Sequence, residues 1–307
     1  MILITEFMDE SAVNILRERY EVIYDPSLVE KQDVVLELIG KTRAIIVRNK
    51  TLVNKILINK ASNLSCVGRL GVGLDNIDIN ACQENNITIY PATGANSNSV
   101  AEYVICSAML LLRQAFQKNI EMISGSWPRQ ESSGLEVKGK TLGLIGYGEI
   151  AQKTKTIAKA LGMKVVAFDP YIDPSSDLWK DVQKLSLDKL LKVSDVISLH
   201  IPLTKETNNL LDEKKLRLCK SSAVLINAAR GGILDEDALA KSLKKNRIRG
   251  AALDVFSEEP LSKEKAKKFS QLNNIILTPH IAGITEESNE RVSQMIADKV
   301  DKHLSEI

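Results

Sequence analysis

The chain has 307 residues, 44% apolar and 26% charged, with 41 basic against 39 acidic side chains and a net charge of +2. That length suits about two domains of roughly 100–200 residues, and the balanced, dispersed charge leaves no footprint for nucleic acid. The N-terminus reaches Glu6 too early for a signal-peptide core, and the greasiest run, 100–112, carries Glu102 and falls short of the ~18 residues a membrane span needs. The four cysteines, Cys66, Cys82, Cys106 and Cys219, are widely spaced with no C-x-x-C pair. They read as reduced core thiols of a cytoplasmic protein, with no metal site.

From the N-terminus, short apolar runs alternate with helix-length amphipathic segments. Strands are predicted over 2–5, 21–24, 44–47, 65–69 and 87–90, with helices over 10–20, 27–39 and 51–59 between them. The strands are short and rich in Ile and Val, as parallel strands covered on both faces are. A repeating β-α-β order argues for α/β layers, because parallel neighbours need crossover helices. Residues 91–99, rich in turn and cap types, read as a loop, and Ser99 is placed to cap a long helix over 100–123. A second α/β series follows, with strands over 141–145, 164–168, 195–200, 223–227, 250–254 and 274–277, before a terminal helix over 285–304. No internal repeat beyond this alternation and no low-complexity segment is evident.

The second series opens with Gly146-Tyr-Gly148-Glu-Ile-Ala151, a G-x-G-x-x-A pattern between a strand and a helix. Gly146 permits the tight turn, Gly148 lets backbone amides approach a pyrophosphate, and Ala151 is small enough where helix meets sheet. The helix N-terminus adds amide donors and a positive dipole end. Twenty-one residues past Gly148, at the end of the next strand, Asp169 is placed to accept from a ribose 2′-hydroxyl. Its charge would repel a 2′-phosphate, and no Arg or Lys follows within 169–174, so the cofactor expected is NAD and not NADP. Glu149 stands where an Arg would help neutralise phosphate, so the phosphate grip would rest on amides and dipole.

Four further segments carry a wider resemblance: Val67-Gly-Arg-Leu-Gly-Val-Gly-Leu-Asp-Asn-Ile-Asp78, Leu225-Ile-Asn-Ala-Ala-Arg-Gly-Gly-Ile-Leu-Asp-Glu236, Gly250-Ala-Ala-Leu-Asp-Val-Phe-Ser-Glu-Glu-Pro260 and Leu277-Thr-Pro-His-Ile-Ala-Gly283. In that order around a dinucleotide loop, they resemble the D-2-hydroxyacid dehydrogenase family over essentially the whole chain, closest to its D-3-phosphoglycerate dehydrogenase branch. The resemblance implies two doubly wound parallel-sheet domains of α/β class. A Rossmann NAD domain (99–283) would be inserted into a discontinuous flavodoxin-like substrate domain (1–98 and 284–307). It also implies a homodimer through the helix over 100–123. The NAD contacts it implies are Gly146, Gly148, Glu149, Ile150, Asp169, His200, Ile201, Ala228, Arg230, Asp254, His280 and Gly283.

Oxidising a 2-hydroxy acid requires a proton acceptor that titrates near neutrality, which favours histidine, and the chain has three. His303, among Asp301, Lys302 and Glu306, reads as part of a solvated helix face. His200 ends a strand and reads as a structural or cofactor-lining residue. His280, after Pro279 and before Ala282-Gly283, matches the family's acid/base histidine. Glu259 matches its acidic partner, a carboxylate that would orient the imidazole and favour the imidazolium. Arg230, directly after a strand, has a planar fork of donors suited to a substrate carboxylate.

Arg69, Val72 and Gly73 match the loop that grips the substrate carboxylate. Arg48, with Lys50, matches a basic segment contacting a distal anion in the phosphoglycerate branch. A hinge at 91–102 longer than that branch usually has, and a chain ending at Ile307 without its regulatory domain, blur the assignment. The expected activity is hydride transfer at C2 of a small, doubly anionic 2-hydroxy acid, with D-3-phosphoglycerate first. The alternatives are (S)-sulfolactate, hydroxypyruvate or glyoxylate reduction, and, in a different class, an NAD-sensing binding protein.

Overall fold

The structure, a computed structural model, describes residues 1–114 and 118–306. It separates into two compact units, Met1–Asn96 with Ile284–Ile307, and Ser97–Gly283.

The first unit is a five-stranded parallel sheet of β1 (Ile2–Ile4), β2 (Val22–Tyr24), β3 (Ala44–Val47), β4 (Cys66–Arg69) and β5 (Thr88–Pro91) in the order β2-β1-β3-β4-β5. Helices α1 (Glu10–Arg17), α2 (Gln32–Leu38), α3 (Lys55–Lys60) and α4 (Ile79–Glu84) make the crossovers. This is the flavodoxin-like order, whose switch point lies between β1 and β3. Every residue of β1 and β3 is buried, which explains the unbroken apolar runs. The terminal helix, α12 (Glu286–Ser305), returns to this sheet and starts in a capping box between Thr285 and Ser288. Gly68 on β4 makes room for it: a Cβ there would stand 2.6 Å from Ile296 Cγ2. Ile296 and Val300 are fully buried beneath it, each worth about 1.5–3 kcal/mol.

The second unit begins with α5 (Ser97–Arg113) and α6 (Asn119–Ile123). Its parallel sheet comprises β6 (Thr141–Ile145), β7 (Lys164–Phe168), β8 (Gln183–Lys184), β9 (Val196–Leu199), β10 (Val224–Asn227), β11 (Gly250–Leu253) and β12 (Ile275–Leu277), ordered β12-β11-β10-β9-β6-β7-β8. The crossover helices are α7 (Glu149–Ala160), α8 (Leu187–Val193), α9 (Glu213–Leu216), α10 (Glu236–Lys244) and α11 (Lys263–Ala266). This is the Rossmann order with one added strand, and its switch point lies between β6 and β9. Apolar clusters cover both faces, one around Leu190, Leu225 and Leu239, the other around Leu112, Leu144 and Ile226.

Several sequence expectations need correction. The helix over 27–39 is a 3-10 turn, Pro26–Glu30, followed by α2, because Lys31 takes φ −122°, ψ 61° between them. Ser99 does not cap α5; it lies buried inside the first turn of a helix that starts at Ser97. The helix over 100–123 is two helices, since Gln114 turns left-handed at φ 54°; residues 115–117 of that expectation lie outside the described residues. Helix α4 and the two-residue β8 are additional to the expected elements.

His303 is not part of a solvated face. Its Nδ1 is 3.0 Å from the Tyr90 hydroxyl, the rings meet edge-on at 5.6 Å, and Nε2 is buried. Among the cysteines, Cys66 and Cys82 are buried and Cys219 half-buried, but Cys106 is exposed on α5. Burial pushes the Cys66 and Cys219 thiols up to about 12 and Cys82 to about 11, so these three are inert at neutral pH. No helix among the described residues is long and apolar enough to cross a membrane.

Candidate active site

At the switch point of the second unit, β6 runs into Gly146 at φ 88°, a conformation only glycine takes cheaply. A Cβ there would lie 2.4 Å from the carbonyl oxygen of His200 and 2.7 Å from Ile201 Cγ2. The loops after β6 and β9 therefore touch backbone to backbone. At Gly148 a Cβ would meet nothing within 4 Å, and this N-cap of α7 makes no side-chain cap hydrogen bond. Open space above an uncapped helix N-terminus is what a pyrophosphate needs, so these residues fit a dinucleotide. Glu149 is exposed at the start of α7, and Ile150 is half-buried.

Asp169 follows β7, and its carboxylate reaches back to the glycine loop. Oδ2 accepts from the Tyr147 N–H at 2.9 Å, and Oδ1 from the Tyr171 N–H at 2.9 Å. The Tyr147 ring stacks on Trp179 at 5.2 Å, which ties the segment after Asp169 to the same loop. Asp169→Ala is expected to raise the KM for NAD about tenfold or more, the worth of one charge-assisted hydrogen bond, and to relax discrimination against NADP. Steady-state kinetics with both cofactors check this; an unchanged preference would place the ribose acceptor elsewhere.

Burial pushes His200 down to about 4 from the ordinary 6.5, so its imidazole is neutral near pH 7. A histidine held neutral in the fold but free to charge when unfolded lets the unfolded chain bind the extra proton between those values, so stability falls as pH drops from 6.5 to 4. The loss is on the order of 3 kcal/mol. Thermal melts of His200→Asn are expected to depend less steeply on pH across that window than the wild type's.

Three loops at the C-terminal ends of β10, β11 and β12 carry the candidate catalytic side chains. His280 sits after β12 at φ 57°, left-handed for a non-glycine residue, and its Nδ1 is 2.7 Å from Glu259 Oε2. Glu259 also accepts from the Phe256 N–H through Oε1 at 2.9 Å. Burial, the largest influence, would raise the Glu259 carboxyl, but the His280 and Phe256 hydrogen bonds and the charges of His280 and Arg230 together hold it below the usual range. Glu259 is thus ionised at neutral pH and can only accept. The shared proton belongs to His280 Nδ1, leaving Nε2 as the nitrogen that exchanges protons with a ligand.

Arg230 follows β10. Its Nη1 donates to the Ala229 carbonyl at 2.7 Å, and its own carbonyl accepts from Asn227 Nδ2 at 2.9 Å. Gly231 lets this loop lie against its neighbour: a Cβ there would stand 1.7 Å from the Phe256 carbonyl oxygen. Ser257 in the facing loop is held by Glu236 Oε1, which accepts its N–H at 2.6 Å. Ala228 packs against the apolar cluster on one sheet face, and Gly283 closes the unit.

Asp254 is fully buried. Its carboxylate is spent on its own chain, accepting from the Thr278 hydroxyl at 2.6 Å and from the Ile281 and Ala282 N–H groups, both at 2.8 Å. The structure thus puts it beneath the histidine loop. Sequence reasoning passed over Tyr103, Asn227, Glu236 and Thr278; the Gly231-Gly232 pair after Arg230 is a local signal for the close backbone approach.

In the first unit, buried Glu6 lies at the switch point, and its carboxylate collects the N–H groups of Arg48, Asn49, Lys50 and Thr51 at 2.8–3.3 Å. The Arg48 guanidinium donates to Asn289 Oδ1 at 3.0 Å, and burial lowers its pKa. Lys50 is exposed, 3.9 Å from Glu30. Arg69 Nη1 donates to the Leu70 carbonyl at 2.9 Å; Val72 is exposed and Gly73 half-buried. Among the described residues no group of three or more His, Cys, Asp or Glu is placed to hold a metal ion.

Residues 105–282 match the model of the D-isomer specific 2-hydroxyacid dehydrogenase, NAD binding domain. The chain is 45% identical over 304 residues to an (S)-sulfolactate dehydrogenase of Chromohalobacter salexigens, covering 99% of this chain and 98% of that one. It is 38% identical over 304 residues to a D-3-phosphoglycerate dehydrogenase of Methanocaldococcus jannaschii, of whose length it spans 57% and which covers 99% of this chain. The crystal structure of D-lactate dehydrogenase from Aquifex aeolicus, complexed with NAD and lactic acid, superposes with a TM-score of 0.85 at 29% identity, covering 100% of this chain and 96% of the other. A glycine turn opening α7, an acid after β7 and this full-length similarity lead to one conclusion: the chain belongs to the D-2-hydroxyacid dehydrogenase family, NAD-dependent oxidoreductases acting on the CH–OH group of 2-hydroxy acids.

Proposed function

We propose that the protein interconverts a C3-sulfonated or C3-phosphorylated 2-hydroxy acid and its 2-oxo acid, with (S)-sulfolactate ahead of D-3-phosphoglycerate. The observation that carries this order is the 45% identity to the Chromohalobacter salexigens enzyme along nearly its full length. Bound NAD supplies the hydride acceptor. The remaining work falls to the chain. His280 Nε2 takes the hydroxyl proton during oxidation and returns it during reduction, while ionised Glu259 holds Nδ1–H and stabilises the imidazolium. Arg230 holds the substrate carboxylate and the charge on the reacting oxygen. We assign Arg69, Val72 and Gly73 to the carboxylate as well, and Arg48 to the distal anion. Lys50, exposed beside Glu30, has the weaker claim. The NAD contacts are Gly146, Gly148, Ile150, Asp169, His200, Ile201, Ala228 and Gly283, with Asp254 supporting them from below.

Rates with NAD on (S)-sulfolactate and D-3-phosphoglycerate, and with NADH on hydroxypyruvate and glyoxylate, test the substrate. The highest kcat/KM is expected for sulfolactate. Arg48→Ala is expected to cost the doubly anionic acids roughly tenfold to hundredfold in kcat/KM and glyoxylate far less. Equal losses on all four would remove Arg48 from the distal anion. No absorbance change with any acid would leave an NAD-sensing role in place of catalysis.

A homodimer built on α5 and α6 belongs to the same reading. Met109 on α5, Ile120, Met122 and Ile123 on α6, and Trp127 just beyond it are exposed, Ile123 by 87%, an apolar surface that association would cover. Light scattering should return twice the 33.9 kDa chain mass. Residence in the cytoplasm completes the proposal.

A further inference from the structure

Helix α5 reaches the catalytic loop through Tyr103. The Tyr103 hydroxyl lies 2.6 Å from Thr278 Oγ1, and Thr278 Oγ1 lies 2.6 Å from Asp254 Oδ1. A threonine hydroxyl has one proton, and Thr278 gives it to the Asp254 carboxylate. Tyr103 is therefore the donor and Thr278 the acceptor in the first bond. Asp254 then holds the loop itself, accepting from the N–H groups of Ile281 and Ala282 at 2.8 Å, while its main-chain carbonyl accepts from the His280 N–H at 2.8 Å. His280 is the residue in this loop with a left-handed backbone, φ 57°, which a non-glycine residue keeps only when its surroundings hold it. The α5 end of the chain of bonds is firm, because Val104, Ile105 and Ala108 around Tyr103 are buried in the sheet-facing cluster.

We propose that Tyr103 is a positioning residue for the acid/base histidine, acting through Thr278 and Asp254 to fix the backbone of the loop that presents His280. This rests on His280 being the acid/base group. The hydroxyl touches neither substrate nor cofactor in this role; it orders the hydroxyl of Thr278, so that Asp254 keeps all its acceptors aimed at one loop conformation. Partly satisfied, such a buried network lets the loop sample other conformers.

The test compares Tyr103→Phe, Thr278→Val and the double variant with wild type. Losing one neutral hydrogen bond, Tyr103→Phe is expected to lower kcat roughly threefold to tenfold. The KM for NAD and the NADH dissociation constant, read by cofactor fluorescence, should change less than kcat does, because the glycine turn and Asp169 stand on other loops. Thr278→Ser, which keeps the hydroxyl, should restore the wild-type rate. In the Thr278→Val background the Tyr103→Phe change should cost nothing more, because the bond it removes is already gone. An unchanged kcat in Tyr103→Phe overturns the proposal, and so does a fully additive double variant or a fall in kcat that tracks only a lowered melting temperature. Failure of the functional reading looks different: no variant, wild type included, would then turn over any 2-hydroxy acid. In that event hydrogen exchange at the Ile281 and Ala282 amides decides, with Tyr103→Phe expected to speed it by the same threefold to tenfold and unchanged exchange refuting the network.

Discussion

His280→Ala should lower kcat by roughly 10²–10⁴-fold, the usual contribution of a positioned acid/base group, while NADH binding by fluorescence titration stays close to wild type. The split follows from where the side chain sits. Its Nδ1 is committed to Glu259 at 2.7 Å, so the ring contributes one free nitrogen to chemistry and little to holding a dinucleotide. The glycine turn at Gly146–Gly148 and the carboxylate of Asp169, which grip the cofactor in our reading, stand on other loops. Truncation also leaves Glu259 without its main partner. That carboxylate is held below its ordinary range partly by the histidine, so the variant keeps a less stabilised charge near Arg230. Turnover within a few-fold of wild type would exclude His280 as the proton-transfer group and leave the site without a near-neutral base, since burial holds His200 at about 4.

Gly231→Ala is expected to be almost as damaging, although residue 231 bears no functional group. The added Cβ would lie 1.7 Å from the Phe256 carbonyl oxygen and 2.0 Å from its carbon. Both are backbone atoms, so no rotamer change relieves the overlap. The loops after β10 and β11 must part by more than about 1 Å, and a displacement of that size between reacting groups costs about a hundredfold in rate. Arg230 is on one of these loops and Glu259 on the other. The expected signature is a kcat near 1% of wild type, a lowered melting temperature and a smaller loss of NADH affinity, because the glycine turn and Asp169 lie on other loops and only Ala228 among the proposed cofactor contacts shares the displaced one. If kcat stays normal, the contact between the two loops does not set the geometry of the site.

These expectations draw on both levels of description. Strands such as β1 and β3 were legible because each is an unbroken apolar run covered on both faces, and β3, β6 and β7 begin and end where the pattern places them. Broken helices were less legible. At Lys31 and Gln114 the helical periodicity carries on through residues whose backbones leave the helix, because side-chain spacing does not report a φ angle. His303 was misread for a related reason. Its charged neighbours in sequence say nothing of Tyr90, which lies 213 positions away in the chain and on another element.

The sequence by itself determined the class of protein: a strand-bounded glycine turn, an acid after the following strand and four spaced segments identify a family whose chemistry needs those residue types. Tertiary structure alone decided how those residues are held. The proton on His280 Nδ1 follows from an ionised Glu259, the approach of the Arg230 loop to the Glu259 loop from the missing side chain at Gly231, and the support under the histidine loop from the Asp254 carboxylate. Each depends on distances between loops that follow different strands, and parallel strands bring those loops together only after the crossover helices have closed the sheet.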